Sequence, residues 1–485
     1  MRCRPILVVL LLLLLPVSIA RAGDPWADEP AYKVLVKYEL QTLHALMKEA
    51  VEKDYRRQAW YCADRILQVD PADSAAADLL DQWSPDELQD GKPPKKGYLR
   101  KREGVLRKLG DDYFHFGETL EASGMDPVKY YPINVRSHSY GSEAGPLMAA
   151  IKAAGYVWIG VYGAKPKTEV EKLLQGPLYT YTFDPEFDDD YLGARCVWPE
   201  ARGARWRRWR LLTDHDYKES LRLLGMLSHA ESWLVANLGS KAKKNLDQVT
   251  NLMVFSEWQK YDKIVPELLH ERDQDRFLGT SGWHDRRNDR LMVCWRHRHN
   301  GWLGDDDLML GHAAKVMARN HFAPDAGGRV QGRGTWLLEG LRGAFEGFRL
   351  DQDGKGEIDA SSCWRLAVAR ALRDQDKLVP WDEFMELDLK KAEALPRVPL
   401  LKLRFGGAER EAKNVDVVAA QATALVVGIM KADRGKKLKK FGKLIGDLYK
   451  RDSLPDLEKA LGFKKGKAVA MANVAMDAAH GGKTK

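Results

Sequence analysis

Cysteine is scarce in this chain: five in 485 residues, with no C-x-x-C pair. A cysteine-ligated zinc module is therefore not expected. Cys3 lies in the N-terminal apolar segment. The remaining four, Cys62, Cys196, Cys294 and Cys363, allow three disulfide connectivities, and their spacing does not choose among them. Buried free thiols are an equal expectation in a chain long enough for a large core. Phosphate-cradling glycine loops of the P-loop or dinucleotide type are missing, as is the G-x-S-x-G elbow of a serine nucleophile. Beyond residue 22 no charge-free apolar run reaches membrane-spanning length. Net charge is also small, with 77 Lys and Arg against 69 Asp and Glu.

What the chain does have begins with a leader. Arg2 and Arg4 precede an apolar run from Ile6 to Leu15, and Ala20-Arg21-Ala22 forms an A-x-A cleavage site. Residues 1–22 read as a secretory signal. Its removal takes away three arginines and leaves +5. The expectation is an exported protein, secreted or in the periplasm or cell envelope. It would not be an integral membrane protein after cleavage, and nucleic acid is not an expected partner. The basic stretch from Lys431 to Lys450 reads as a solvated helix face, with contact to anionic envelope polymers as the alternative.

In chain order, residues 23–95 carry a helical pattern. One helix is predicted over about Tyr32 to Glu52, and another over the run whose apolar residues Ala59, Cys62 and Ile66 precede Asp70-Pro71. This resembles one tetratricopeptide-type hairpin, although an array needs about three such units, so a helical prefix packed on the next domain is favoured. Asp90 to Lys96 reads as a linker. Residues 96–203 read as a mixed α/β region, with alternating aromatic strands at Tyr156–Tyr162 and Leu178–Phe183 and an acidic run at Asp184–Asp190. From 204 to 485 strands come first and helices later, which predicts an α+β domain. Strands are expected near Arg207–Asp214, Leu252–Phe255 and Arg290–Trp295, and helices over Tyr217–Leu238, from Asp307, through Glu339, from Val379 and from Asp416.

The most informative stretch runs from Leu308 to Phe345: LMLGHAAKVMARNHF, a glycine-rich connection, then TWLLEGLRGAF. The chain from about Trp206 to Val474 resembles a gluzincin-type zinc metallopeptidase domain. In such domains an H-E-x-x-H helix holds zinc through two histidines and a glutamate serves as base. A second helix, W-L-x-E-G, supplies the third ligand. Here His312 matches the first histidine and Glu339 the third ligand, in the setting Trp336 to Leu341. Ala420-Gln421-Ala422 matches a later helix. The resemblance implies a zincin-like fold, a small sheet plus helices with a cleft between them.

It also implies a degenerate site. Zinc catalysis needs three protein ligands and a base for the bound water. Ala313 stands at the base position and Val316 at the second histidine position, so no catalytic residue, bound metal or cofactor is expected. Zinc at a rebuilt site is the alternative. His321, nine residues from His312, falls roughly 180° around the helix and cannot replace the lost ligand. Lys315 falls near the right face. One expectation is that its ammonium takes the cation's place beside Glu339; the other is a solvated lysine without a partner. Trp336, His284, Trp295 and Gln421 complete the candidate cleft. Asp351 to Ser362 resembles a calcium loop, but Lys355 and Ser362 stand where oxygen ligands belong, so a polar turn is expected. His297 and His299 read as a hairpin tip. Three functions remain open: an exported pseudopeptidase whose cleft binds a protein or peptide, a hydrolase with a rebuilt metal site, or a structural envelope protein.

Overall fold

The structure, a computed structural model, describes residues 26–83, 87–88, 90–140, 149, 151–159, 164–174, 198, 201–206, 208–239, 250–269, 280–285, 290–295, 300, 306–323, 330–451 and 453–479. The leader, the second aromatic strand, the acidic run and His297 and His299 lie outside these residues.

The first five helices are α1 (Pro30–Glu52), α2 (Arg56–Val69), α3 (Ser74–Gln82), α4 (Lys96–Ala122) and α5 (Pro127–Ser139). They share one core, from Trp26 through Ala59, Cys62 and Ile66 to Tyr113 and Tyr140. Its centre is polar. Glu39, fully buried, accepts hydrogen bonds from Tyr113 at 2.7 Å and from Arg136 Nε at 2.9 Å, and also from Tyr140. A carboxylate at this depth is tolerable because a guanidinium and two hydroxyls replace its water. Tyr113 and Arg136 belong to α4 and α5, so the module expected to end at residue 95 shares its core with the next two helices. A short hairpin follows, β1 (Tyr156–Trp158) with β2 (Ala164–Pro166), then α6 (Lys167–Leu174).

A five-stranded sheet organises the second half. Its strands are β3 (Arg202–Trp206), β4 (Trp209–Thr213), β5 (Thr250–Phe255), β6 (Gly282–Asp285) and β7 (Arg290–Cys294), in the order β3-β4-β5-β7-β6. β4, β5 and β7 run parallel, and β3 and β6 are antiparallel edges. Side chains alternate across a strand, and here both faces are covered. Leu211, Leu252, Val254, Leu291 and Val293 join the main helical core. Leu212, Met253, Phe255, Met292 and Cys294 pack with Trp198, Tyr261 and Val265. This explains why the parallel strands read as nearly unbroken apolar runs.

Between the strands lie α7 (Tyr217–Leu238) and α8 (Trp258–Leu268). The Asp216 carboxylate caps α7 by accepting from the Glu219 N–H at 2.9 Å. The motif helix α9 (Asp307–Phe322) and α10 (Trp336–Glu346) follow, then the hairpin β8 (Phe348–Leu350) and β9 (Gly356–Ile358). Next come α11 (Trp364–Arg373), α12 (Trp381–Met385) and α13 (Leu389–Ala394), a long hairpin of β10 (Val398–Phe405) and β11 (Ala408–Val415), and α14 (Val417–Lys431). α15 (Leu438–Arg451), α16 (Leu457–Leu461) and α17 (Lys467–Ala478) close the described chain. The architecture is α+β. The sequence reading missed β3, β6 and the β10–β11 hairpin. The calcium-like loop is the β8–β9 turn, where the Asp351 carboxylate accepts the N–H groups of Asp353 and Lys355 at 2.9 and 2.8 Å.

Candidate functional site

α14 is buried along nearly its whole length, and α10 lies directly on it. A Cβ at Gly340 would stand 2.4 Å from the Ala422 carbonyl oxygen, and one at Gly343 1.8 Å from Thr423 Oγ1. Only glycine permits that approach. With one face fixed on α14, α10 turns Glu339, Arg342 and Glu346 towards α9; three- and four-residue spacing keeps them on one side. α9 answers with Gly311, where a Cβ would lie 2.7 Å from Glu346 Cγ and 2.9 Å from the Arg342 carbonyl oxygen.

One turn further along α9, the Lys315 ammonium donates to Glu339 Oε1 at 2.5 Å. Of the two sequence expectations for Lys315, the structure has the paired one. Arg342 flanks the same carboxylate at 3.6 Å. Burial alone would raise the Glu339 pKa, but the charges of Lys315 and Arg342 outweigh it and hold the group down at about 2. Both partners of the pair keep about a third of their side-chain surface exposed, 34% for Lys315 and 31% for Glu339.

The pair continues inward. Arg342 Nε lies 3.4 Å from Glu346, which is fully buried and accepts from Trp364 Nε1 at 2.6 Å and from Arg365 at 2.7 and 3.0 Å. At the start of α9, buried Asp307 meets Arg349 at 2.8 Å. Burial pushes its carboxyl up to about 7; Arg349 opposes this and Glu346 adds to it.

His312 is 8% exposed. Its imidazole covers Gly282 of the edge strand β6, where a Cβ would fall 2.5 Å from Nε2. His284, two residues along β6, shares that face of the strand. Ala313, at the base position, is fully buried, and Val316, at the second histidine position, is 2% exposed. His321 points to the opposite side of α9, as its spacing requires. Its Nε2 meets Glu231 Oε1 at 2.7 Å, Arg208 meets the same oxygen at 3.0 Å, and the Trp209 indole donates to the other carboxylate oxygen at 2.9 Å.

Two candidate cleft residues belong to the core instead. Gln421, fully buried, clamps a loop by donating to the Val379 carbonyl at 2.8 Å and accepting the Val379 N–H at 3.0 Å. Trp336 is buried against Phe384, ring centroids 4.9 Å apart. Their motif settings reflect packing: a long amide spans two backbone groups, and an indole fills a gap between helices.

Trp295 does line an open space. A cavity of about 510 Å³ lies at the carboxyl ends of the parallel strands, bounded by Trp295 after β7, His215 after β4, Ser256 and Glu257 after β5, and Asp306 before α9. Such a position, outside the ends of parallel strands, is where open sheets bind ligands. The His215 ring packs on Trp295 at 4.3 Å, and the Arg222 guanidinium stands 5.5 Å from the Trp295 ring. Arg222 is anchored by Glu219 at 2.8 Å and by Asp306 at 2.5 Å. Burial holds the His215 pKa below its ordinary value despite the surrounding carboxylates. The sequence reading found only Trp295 here. The other residues converge because three strands end together, which local spacing cannot reveal.

No protein-family model matches the chain, and no curated protein is significantly similar to it.

The donor set near His312 does not suit the zinc that the gluzincin resemblance implies. One imidazole faces β6, the single matched carboxylate is already held by an ammonium, and the hydrocarbon of Val316 occupies the second histidine position. Among the described residues no three His, Cys, Asp or Glu side chains converge as a metal site. The three described cysteines, Cys62, Cys294 and Cys363, are buried free thiols.

Proposed function

We propose that this chain is an exported relative of the gluzincin-type peptidases that has lost hydrolysis and retains a surface for binding a protein or peptide. The observation that carries the reading is the Lys315–Glu339 pair between α9 and α10. A carboxylate in a metal-ligand setting faces a fixed cation of its own chain, and the electrostatic balance a divalent ion would supply is met without one. The order of elements supports the same descent: mixed sheet, antiparallel edge strand against His312, motif helix, carboxylate helix. The binding surface is the cavity beside Trp295, since the ring of His312 is closed over by Gly282.

The purely structural reading has an observation in its favour, the dense packing at His312, Val316 and Trp336. The open cavity favours binding. For a rebuilt metallohydrolase no group of ligands supplies support among the described residues. No helix there is long and apolar enough to cross a membrane.

Two measurements test the proposal. Purified protein, incubated with zinc and with labelled casein, is expected to bind the casein chain and leave it uncut. Stoichiometric zinc that is lost on His312→Ala, together with casein cleavage, would establish the enzyme. Casein neither bound nor cut would leave the structural reading. The descent argument has its own test. The triple substitution Ala313→Glu, Lys315→Ala, Val316→His restores the missing ligand and base and removes the ammonium. It is expected to gain zinc affinity over the natural chain by isothermal titration, with Glu339 as third ligand.

A further inference from the structure

The charge of the chain is concentrated in one place. Between residues 431 and 467 stand thirteen Lys and Arg against five Asp and Glu, a net of +8, equal to the formal charge of all 485 residues. Everything outside this segment sums to zero.

The fold presents that charge outward on a rigid base. α15 turns Leu438, Phe441, Leu444, Ile445 and Leu448 into the core, and Lys439, Lys440, Lys443 and Lys450 are exposed. The helix cannot roll, because Gly442 lies against α7, where a Cβ would stand 2.1 Å from the Leu238 carbonyl oxygen. At its amino end the charges gather. Gly462, with φ +70°, ends α16, and a Cβ there would lie 3.5 Å from the Lys440 ammonium and 3.6 Å from that of Lys437. Two cations thus flank one spot, and exposed Lys464 and Lys465 follow it in the turn to α17.

Two of the neighbouring acids are already engaged. Asp456 caps α16 through the Lys459 N–H at 3.0 Å. Glu458 accepts the N–H groups of Gly466 at 2.8 Å and Ala468 at 2.9 Å. None of Lys437, Lys440, Lys464 and Lys465 makes an ion pair among the described residues.

We propose that this lysine face, the amino end of α15 together with the α16–α17 turn, docks the protein on an anionic lipid surface. The chemistry of the patch selects the partner. Eleven of its thirteen cations are lysine, hydrated point charges without the planar fork that reads a single phosphate or base. No large apolar or aromatic side chain of the segment is among the exposed ones, so bases have no platform on which to stack and nothing inserts into hydrocarbon. What remains is attraction to a surface of many negative charges, cumulative in lysines and screened by salt. This inference does not rest on the reading of the Lys315 site.

The test is sedimentation of the full chain with vesicles of phosphatidylcholine alone or mixed with phosphatidylglycerol, across a salt series. The N-terminal segment carries Arg2, Arg4 and Arg21 and also favours anionic vesicles, so the lysine variants, which keep that segment, isolate the contribution of the patch. The protein is expected to favour the anionic vesicles, and to lose that preference as salt rises. Lys437→Gln, Lys440→Gln, Lys464→Gln and Lys465→Gln together should lower the anionic partition by about fivefold for each lysine removed, with the thermal midpoint unchanged. The matching four-arginine variant should keep it. Equal sedimentation with both vesicle types, an unaltered partition in the glutamine variant, or capture by soluble dextran sulfate without vesicle binding would each overturn the proposal.

Discussion

The motif helix α9 carries ionic groups on two opposite sides, and the two sides are built differently. On one, Lys315 and Glu339 pair at the rim with a third of each side chain still in water. On the other, His321, Glu231, Arg208 and the Trp209 indole form a closed cluster at the start of β4, with His321 only 1% exposed. A rim pair is screened and contributes little to stability. A buried cluster costs heavily to assemble, and more to leave half-made. The difference teaches that the ionic groups of this helix serve separate ends: the inner cluster fixes α9 against α7 and the sheet, and the rim pair satisfies the Glu339 carboxylate.

The sharpest way to break that contrast is to remove the inner carboxylate. Glu231→Ala strands Arg208, His321 and the Trp209 N–H without their acceptor, and urea unfolding should report a loss of about 3–5 kcal/mol. A loss comparable to that of a surface substitution would erase the distinction.

Asp307 gives the next largest effect and ties it to pH. Its folded-state pKa, about 7, lies above the ordinary carboxylate value. The folded protein therefore holds a proton that the unfolded chain releases. This contribution is complete below the unfolded pKa and is lost as pH rises through about 7, by at most about 4 kcal/mol. Urea midpoints at pH 4, 5.5 and 7 should show the decline in the natural protein and a flatter profile in Asp307→Asn.

The rim pair should give the smallest effect. Lys315→Ala is expected to cost no more than about 1 kcal/mol in thermal unfolding, since Arg342 still faces Glu339 and water reaches both groups. Because the Glu339 pKa is depressed, its share is present above the unfolded carboxylate pKa, near 4, and disappears as pH falls towards 2. A loss matching that of Glu231→Ala would mean that the rim pair is structural after all.

How much of this was legible beforehand follows from the range of each signal. α7 falls where its pattern predicts, Tyr217–Leu238, because its apolar period and Asp216 cap act within a few residues. The partnership of Lys315 with Glu339 was readable from helical spacing plus one motif. Glu231 and His321 are ninety residues apart, and no local rule joins them. Arg365 meets Glu346 for the same nonlocal reason, although Arg342 and Glu346 were visible as an i, i+4 pair. β6 leaves no clear strand signal because it is a four-residue edge strand containing glycine. The residues of the Trp295 cavity come from three strand ends and two helix starts, so only the sheet order brings them together. A motif match reports position in a sequence, but Gln421 and Trp336 lie in the core and not in the cleft, and their burial is decided by partners more than forty residues away, Val379 and Phe384.

The most direct test of the central claim is an anomalous difference map at the zinc edge from crystals of the natural protein soaked in zinc. The account predicts no metal peak between His312 and Glu339, with the Lys315 ammonium on the Glu339 carboxylate. An ordered zinc ion bound by His312 and Glu339, with Lys315 displaced, would contradict it.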